Sequence, residues 1–295
     1  MTKNRSRLAI VAAAAVYIFW GFTFLASAVA QGISTPFVLL AYRFDSAALL
    51  MAIPLLIGKQ KISLRGKNIK ALLMLGLMEP CLYFIGEQYG VRYTNSAFSG
   101  VIIAVIPIVT LMLSAIVLND RPSPAQWLFS LLSIAGVVVI TLSEGGEGAV
   151  RPLGVLCLIG AVLTGSACTV ISRRTSDNFS VYERTLVMQL MGAVFFTALA
   201  LMENAGNPSA LIEPLAHKDF VLAVLYLSVF ASVLGYTLFN YAIAYAPVAK
   251  VVILVNLTTV ISVIAGVLIL GDHFSLISAA AMLAVLFGIW GVQRY

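Results

Sequence analysis

The chain of 295 residues is 61% hydrophobic and 10% charged, with a mean hydropathy of +1.02. Soluble domains carry about 25% charged residues, so this composition excludes a soluble enzyme or binding domain and predicts an integral membrane protein. The formal net charge of +6 comes from Lys and Arg scattered over short loops, which argues against a nucleic-acid partner.

Ten apolar segments follow one another along the chain, each long enough to cross a hydrocarbon core of ~30 Å as a helix. The sequence therefore predicts an all-α integral membrane protein with ten transmembrane helices, at Leu8 to Ala30, Pro36 to Ile57, Ala71 to Gly90, Asn95 to Leu118, Ala125 to Leu142, Leu153 to Ser172, Val181 to Met202, Phe220 to Asn240, Pro247 to Leu270, and Leu276 to Val292. The longest connection, Glu203 to Asp219, is too short to bury a core of its own. An alternative for the first segment is a signal peptide cleaved after Ala30, which would leave nine spans.

Lys and Arg lie mainly in the loops that are cytoplasmic if the N-terminus is inside. Only Arg92, Arg151 and Lys218 fall in the opposite set of loops. Because cytoplasmic loops carry an excess of Lys and Arg, we expect a multi-pass protein of the plasma (inner) membrane with both termini cytoplasmic.

The third to fifth spans repeat as the eighth to tenth. A shift of 152 residues places Tyr89 on Tyr241 and aligns "QYGVRYTNSAF" with "NYAIAYAPVAK", and it also aligns "IVLNDRPS" with "LILGDHFS", where Asp120 meets Asp272. We therefore expect two five-helix repeats, residues 1–148 and 149–295. An odd number of spans forces the second copy to insert upside down, and such inverted repeats are typical of secondary transporters that work by alternating access.

Several motifs in order along the chain carry a family resemblance: "FWGFTF" in the first span, "AYRFDSAAL" in the second, "YGVRYTNSAFSGVIIAVIPIVTLMLSAIVLND" through the third and fourth, and "AYAPVAKVVILVNLTTVISVIAGVLILGD" in the ninth. With these motifs the chain resembles the EamA-type members of the drug/metabolite transporter superfamily. The resemblance implies ten helices in two five-helix repeats and transport of small metabolites, amino acids or drugs. Two departures from the family pattern are the Asp at 120 and 272 in place of Glu, and Thr259 in place of a proline that Pro107 keeps in the first copy.

Two polar stripes run along apolar spans. Glu79, Tyr83 and Glu87 are spaced i, i+4, i+8 in the third span, so they lie on one face of the helix. The eighth span carries a second stripe of the same spacing, made of Ser228, Ser232, Tyr236 and Asn240. A charge facing lipid is costly, so we expect both stripes to line a cavity between the two halves. The alternative is a structural role, in which an acid pairs with Arg43 or Arg92.

Five further residues are candidates for the cavity or its charges. Trp20 lies in mid-span and is expected to line the cavity rather than anchor at the interface. Asn256 and Thr259 share a face of the ninth span, where solute contact and inter-helix hydrogen bonding are equally open. Lys250 is expected to reach lipid phosphates, with an anion contact as the alternative. Arg43 matches a position of the family and is expected to pair with a buried acid or with backbone carbonyls.

Nothing in the chain predicts catalysis. His217 and His273 fall in predicted outer loops, remote in sequence from any triad or ligand set, and Cys81, Cys157 and Cys168 fall in apolar spans. We therefore expect no enzyme activity, no cofactor and no metal. The expected partners are a small-molecule solute, the lipid bilayer and, if transport is coupled, protons, in a monomer or homodimer.

The favoured function is a secondary carrier, an exporter of small organic metabolites with proton antiport. A buried carboxyl can bind either a proton or a cationic solute, so Glu79 is the favoured coupling site. Two acids, aromatic rings and an amide suit a cationic or zwitterionic solute such as an amino acid or amine, while Lys250 and Arg43 keep an anion open. The alternatives are a uniporter or exchanger without proton coupling, and a membrane sensor or scaffold that transports nothing.

Overall fold

The computed structural model describes residues 3–94, 96–143, 150–265, 267–268 and 276–295. Within these ranges the secondary structure is helical, and ten helices are long and apolar enough to cross a membrane. We name them α1 to α10: Asn4–Gln31, Pro36–Leu56, Ile69–Tyr93, Phe98–Val117, Pro124–Leu142, Pro152–Thr175, Val181–Glu203, Lys218–Tyr245, Val248–Ala265 and Leu276–Arg294. The ten predicted spans are thus confirmed. Residues 144–149 and 269–275, which include Asp272 and His273, lie outside the described residues.

Several helices extend beyond the predicted spans. The sequence placed the eighth span at Phe220 to Asn240, whereas α8 runs over 28 residues, Lys218–Tyr245. The apolar pattern identifies the residues that lie in the hydrocarbon core of the membrane. The helix continues beyond them into the polar interface, because its backbone hydrogen bonds are still satisfied within the helix.

Neither α3 nor α8 is a regular helix at its centre. Wide π-type turns occupy Leu77–Leu82 in α3 and Leu227–Leu234 in α8, at positions that correspond under the shift of 152 residues. In α3 the backbone of Glu79, directly before Pro80, is extended at φ −146° and ψ 122°. Such turns are frequent at functional sites, and interrupted helices frame the solute sites of many carriers.

The helices α4 and α9 are also irregular at similar depths. The backbone of α4 turns at residues 104–105, just before Pro107, and α9 tightens into a 3-10 turn at Ile253–Val255. The second copy therefore keeps an irregular turn although Thr259 replaces the proline of the family pattern.

Helix contacts follow a two-fold pattern. The helix α5 packs along α10, and α2 packs along α7. The helix α1 packs against α8 and α9, and its counterpart α6 packs against α3 and α4. Each contact is matched by its equivalent after exchange of the halves, as in two inverted five-helix repeats related by an axis in the membrane plane.

Glycines bring α5 and α10 into close contact. A Cβ on Gly136 would lie 2.8 Å from the carbonyl oxygen of Ala281, and one on Gly288 would lie 2.6 Å from that of Phe129. Ser133 Oγ donates to the carbonyl of Val285 across the same contact at 3.4 Å. Small residues at membrane helix contacts let the backbones approach, so these glycines serve packing within the chain.

Polar contacts tie α2 to α7 from one end to the other. Thr35 donates to Glu203 at 2.6 Å, and in the middle of the pair Thr197 donates to Asp45 at 2.8 Å. At the other end Glu183 accepts from Ser63 N at 2.7 Å and forms an ion pair of 3.4 Å with Lys67, a residue of the α2–α3 connection. Asp45 thus faces α7, whereas Arg43, two residues before it, faces α8.

Candidate solute-binding site

Glu79 meets the other half of the protein at the interrupted centre of α3. The Tyr236 hydroxyl donates to Glu79 Oε1 at 2.9 Å, and Tyr236 is 1% exposed. The Glu79 residue is partly exposed, and the fully buried Cys168 of α6 is one of its neighbours. Glu79 of the stripe on α3 is therefore in contact with Tyr236 of the stripe on α8.

The other two members of the first stripe continue along α3. Tyr83 donates to Glu87 Oε1 at 2.9 Å, and both side chains are partly exposed. Each of the two carboxyl groups accepts a hydrogen bond from one tyrosine, so neutral donors rather than cations hold them. Because no cation among the described residues is paired with it, each carboxyl group can be protonated or ionised without breaking an ion pair.

Arg43 lies beside this site at 5% exposure. Its Nε donates to Ser232 Oγ at 2.8 Å, and its guanidinium carbon lies 5.2 Å and 5.0 Å from the ring centres of Phe44 and Phe84. Its charge acts on Glu79 and Glu87, but the one ion pair within 4 Å among the described residues joins Lys67 to Glu183. Arg43 was expected to pair with a buried acid or with backbone carbonyls, and instead it donates to the Ser232 hydroxyl and lies on two aromatic faces.

Trp20 closes the site from α1. Its indole N–H donates to the carbonyl of Ala231, in the wide turn of α8, at 2.9 Å. Its ring contacts Tyr236 edge-on with centroids 5.6 Å apart, and it packs on Phe239 at the same separation. Trp20 thus stands between α1 and α8 next to the tyrosine that bonds Glu79.

Gln189 was missed by the sequence analysis. It is fully buried in α7, and its amide nitrogen donates to the carbonyl of Ser232 at 3.3 Å, while its Oε1 has no hydrogen-bond partner. Because a carbonyl can only accept, the bond to Ser232 fixes which end of the amide is the nitrogen. The signal available in sequence was a lone amide within the apolar run "LVMQLMG".

Asn240 of the second stripe lies one turn beyond Tyr236, in a different environment. It is fully buried, it accepts from Ser172 Oγ at 2.7 Å and it donates to Thr185 Oγ1 at 3.1 Å. By the loop assignment from sequence, Arg184 falls among the Lys and Arg of the cytoplasmic loops, but it is fully buried here and donates to the carbonyl of Asn240 at 2.8 Å. Placing Arg184 with the loop charges was wrong, because the first turn of α7 is covered by α6 and α8.

The structure places the remaining candidates on the α9 side of the bundle. Asn256 donates to Ser133 Oγ of α5 at 2.9 Å, which is the inter-helix alternative. Thr259 is partly buried one turn along α9. Lys250 donates to the carbonyl of Gln293 at 2.5 Å, and the Gln293 amide donates back to the Lys250 carbonyl at 2.6 Å. The Lys250 ammonium thus ties α9 to α10, where reach to lipid phosphates was expected.

Comparison with known proteins adds a family. The model of the EamA-like transporter family matches twice, over residues 7–142 and 152–294. The "uncharacterized transporter YcxC" of Bacillus subtilis is 31% identical to this chain, over 99% of this chain and 94% of that protein. An "uncharacterized transporter" of Archaeoglobus fulgidus is 22% identical, over 94% of this chain and 95% of that protein. A solved crystal structure with 20% identity superposes with a TM-score of 0.80, over 97% of this chain and 96% of that one.

Proposed function

The chain belongs to the EamA-like transporter family, and from that premise we propose that it is a secondary active transporter that moves small organic metabolites by alternating access. The observation that carries this proposal is the 2.9 Å bond between Glu79 and Tyr236. It joins the two repeats at the interrupted centres of α3 and α8, where a carrier exposes its solute to either side. Residues 1–148 and 149–295 would form the two halves of this carrier.

The charges at the site favour a solute with a cationic group. Glu79 and Glu87 offer two carboxyl groups, Tyr83 and Tyr236 offer hydroxyls, and Trp20 offers an aromatic edge. A buried carboxylate is costly unless it is paired, so an ammonium group of the solute would offset that cost. Arg43, close to the same carboxyl groups, suits the carboxylate of a zwitterion, so amino acids and amines are the classes that we propose.

Export by exchange with protons is the mode of coupling that we propose. The Glu79 carboxyl group accepts a hydrogen bond from the Tyr236 hydroxyl, which is a neutral donor. A proton or a cationic solute can therefore neutralise the carboxylate, and the two would compete for it. Antiport requires at least that a proton and a solute occupy the Glu79 carboxylate in turn.

Flux into proteoliposomes tests the function. We expect amines or amino acids to accumulate when a pH gradient is imposed, and we expect the same compounds to raise the melting temperature of the purified protein. Flux equal to that of empty liposomes over a panel of amines, amino acids and organic anions would favour a sensor or scaffold. Stabilisation by anions alone would contradict the proposed solute class.

We further propose a location in the plasma membrane with both termini cytoplasmic. In a variant without native cysteines, a cysteine at Gly146 should react with a membrane-impermeant maleimide added from outside. A matched cysteine at Lys61, in the α2–α3 connection, should react only after the membrane is opened. The reverse pattern would refute the orientation.

A further inference from the structure

A second buried polar group lies beyond the solute site, between α6, α7 and α8. We define the Arg184 cluster as Arg184, Ser172, Asn240 and Thr185, all of which are fully buried. Arg184 Nη1 donates to Ser172 Oγ and to the Ser172 carbonyl, each at 2.8 Å, and Arg184 Nη2 donates to the carbonyl of Asn240 at 2.8 Å. Asn240 connects this pair to Thr185, so three helices meet in one hydrogen-bonded group.

The cluster is linked directly to the proposed solute site. Thr185 Oγ1 donates to the carbonyl of Tyr236 at 3.4 Å, and the hydroxyl of the same tyrosine donates to Glu79. The cluster therefore lies on the side of Glu79 toward the end of α8. On the opposite side of Glu79, Tyr83 and Glu87 are partly exposed, whereas the cluster has no exposed surface. The polar residues next to Glu79 are thus fully buried on the side of the cluster and partly exposed on the other side.

The charge of Arg184 has no carboxylate partner within 4 Å among the described residues. Its guanidinium donates to neutral oxygens, and its Nε has no hydrogen-bond partner in the described part of the chain. A buried guanidinium without a carboxylate has a large desolvation cost, and apolar packing would seal the same space with more stability. A polar seal has one advantage over an apolar one, because its groups are readily hydrated when the helices separate.

A second arginine reinforces the seal at the membrane surface. Arg173, in the last turn of α6, donates through Nη1 to the carbonyls of Ile243 and Ala244 at 2.8 Å and 2.6 Å. These carbonyls belong to the last turn of α8, whose orphan oxygens attract cations. The end of α8 is therefore held to α6 by Arg173 and to α7 by Arg184, through bonds that a modest displacement would break.

We propose that the Arg184 cluster is the gate of the solute pathway on the side where α6 ends and α7 begins. This inference rests on the proposed carrier function and on the closed state seen here. Opening that side separates α8 from α6 and α7, and the released guanidinium then meets water and, where the solute is a zwitterion, its carboxylate. In the proposed orientation this is the cytoplasmic gate.

Reactivity of a buried reporter tests the gate without any solute. Met188 is fully buried one turn from Arg184, and its sulfur lies 3.5 Å from Asn240 Nδ2. In a variant without native cysteines, Met188→Cys should react slowly with an impermeant maleimide. Arg184→Met should raise that rate at least tenfold from one side of the membrane only. Arg174→Met, which removes an exposed arginine of the same region, should leave the rate unchanged.

Two outcomes would overturn the gate. One is an unchanged labelling rate in folded Arg184→Met, and the other is faster labelling from both sides, which would indicate general loosening. If Arg184→Met does not purify as a monodisperse protein, Asn240→Ala carries the same expectation, because it removes three side-chain hydrogen bonds of the cluster and keeps the charge. Labelling of Met188→Cys needs no solute, so it can be interpreted even if no flux is measured. Absence of flux would count against the carrier function and not against the effect of Arg184 on access to this position.

Discussion

Replacement of Glu79 by glutamine is expected to abolish accumulation driven by a pH gradient. For one-to-one exchange, a gradient of one pH unit sustains about a tenfold solute gradient, since 1.4 kcal/mol corresponds to a factor of ten. Glutamine has nearly the same volume and can still accept from the Tyr236 hydroxyl, so the protein should fold. It cannot bind a proton, so the accumulation ratio should fall to about one. Solute uptake into proteoliposomes at set internal and external pH measures this ratio.

The controls separate coupling from folding and from binding. Tyr236→Phe removes the hydrogen bond to Glu79 and keeps the carboxyl, so it should alter solute affinity while pH-driven accumulation persists. Glu79→Gln should match the parent in gel filtration, and it retains exchange if binding survives loss of the charge. If the variant still concentrates solute against its gradient, Glu79 is not the coupling residue, and Glu87 becomes the next candidate.

The sequence predicted the ten spans because hydrophobic length is a property of each segment alone. It also predicted that an acid of α3 and a residue of the α8 stripe face a common site, since spacing of four residues fixes one face of a helix. The link between Glu79 and Tyr236 agrees with that geometry. Their roles in transport remain predictions.

Other features depended on which helices touch, and spacing within one helix does not contain that information. Arg184 is the fourth residue of α7, where an arginine normally reaches the interface, and it is the packing of α6 and α8 that buries it. Asn240 lies on the same face as Tyr236, one turn along the regular part of α8. At that level the neighbouring side chains of α6 and α7 are those of the Arg184 cluster, so Asn240 joins that cluster and not the site at Glu79. Lys250 likewise meets Gln293 through the packing of α9 on α10.

Replacement of Gly288 by valine is expected to destabilise the protein strongly. A Cβ at this position would lie 2.6 Å from the Phe129 carbonyl oxygen, 2.7 Å from Ser133 Cβ and 2.8 Å from Ser133 N. Two of these atoms belong to the backbone of α5, so no side-chain rotation relieves the overlap and the two helices must separate. Overpacking of a close contact costs about 1–3 kcal/mol even where the neighbours can adjust.

The same separation would strain a second contact, because Ser133 Oγ also accepts a hydrogen bond from the side-chain amide of Asn256 in α9. The matched control is Gly160→Val, at a glycine of α6 with no atom within 4 Å of its added Cβ. We expect Gly288→Val to lower the melting temperature in detergent or to prevent recovery of monodisperse protein, while Gly160→Val stays near the parent. Equal melting temperatures for the two variants would show that α5 and α10 are not held in this close contact.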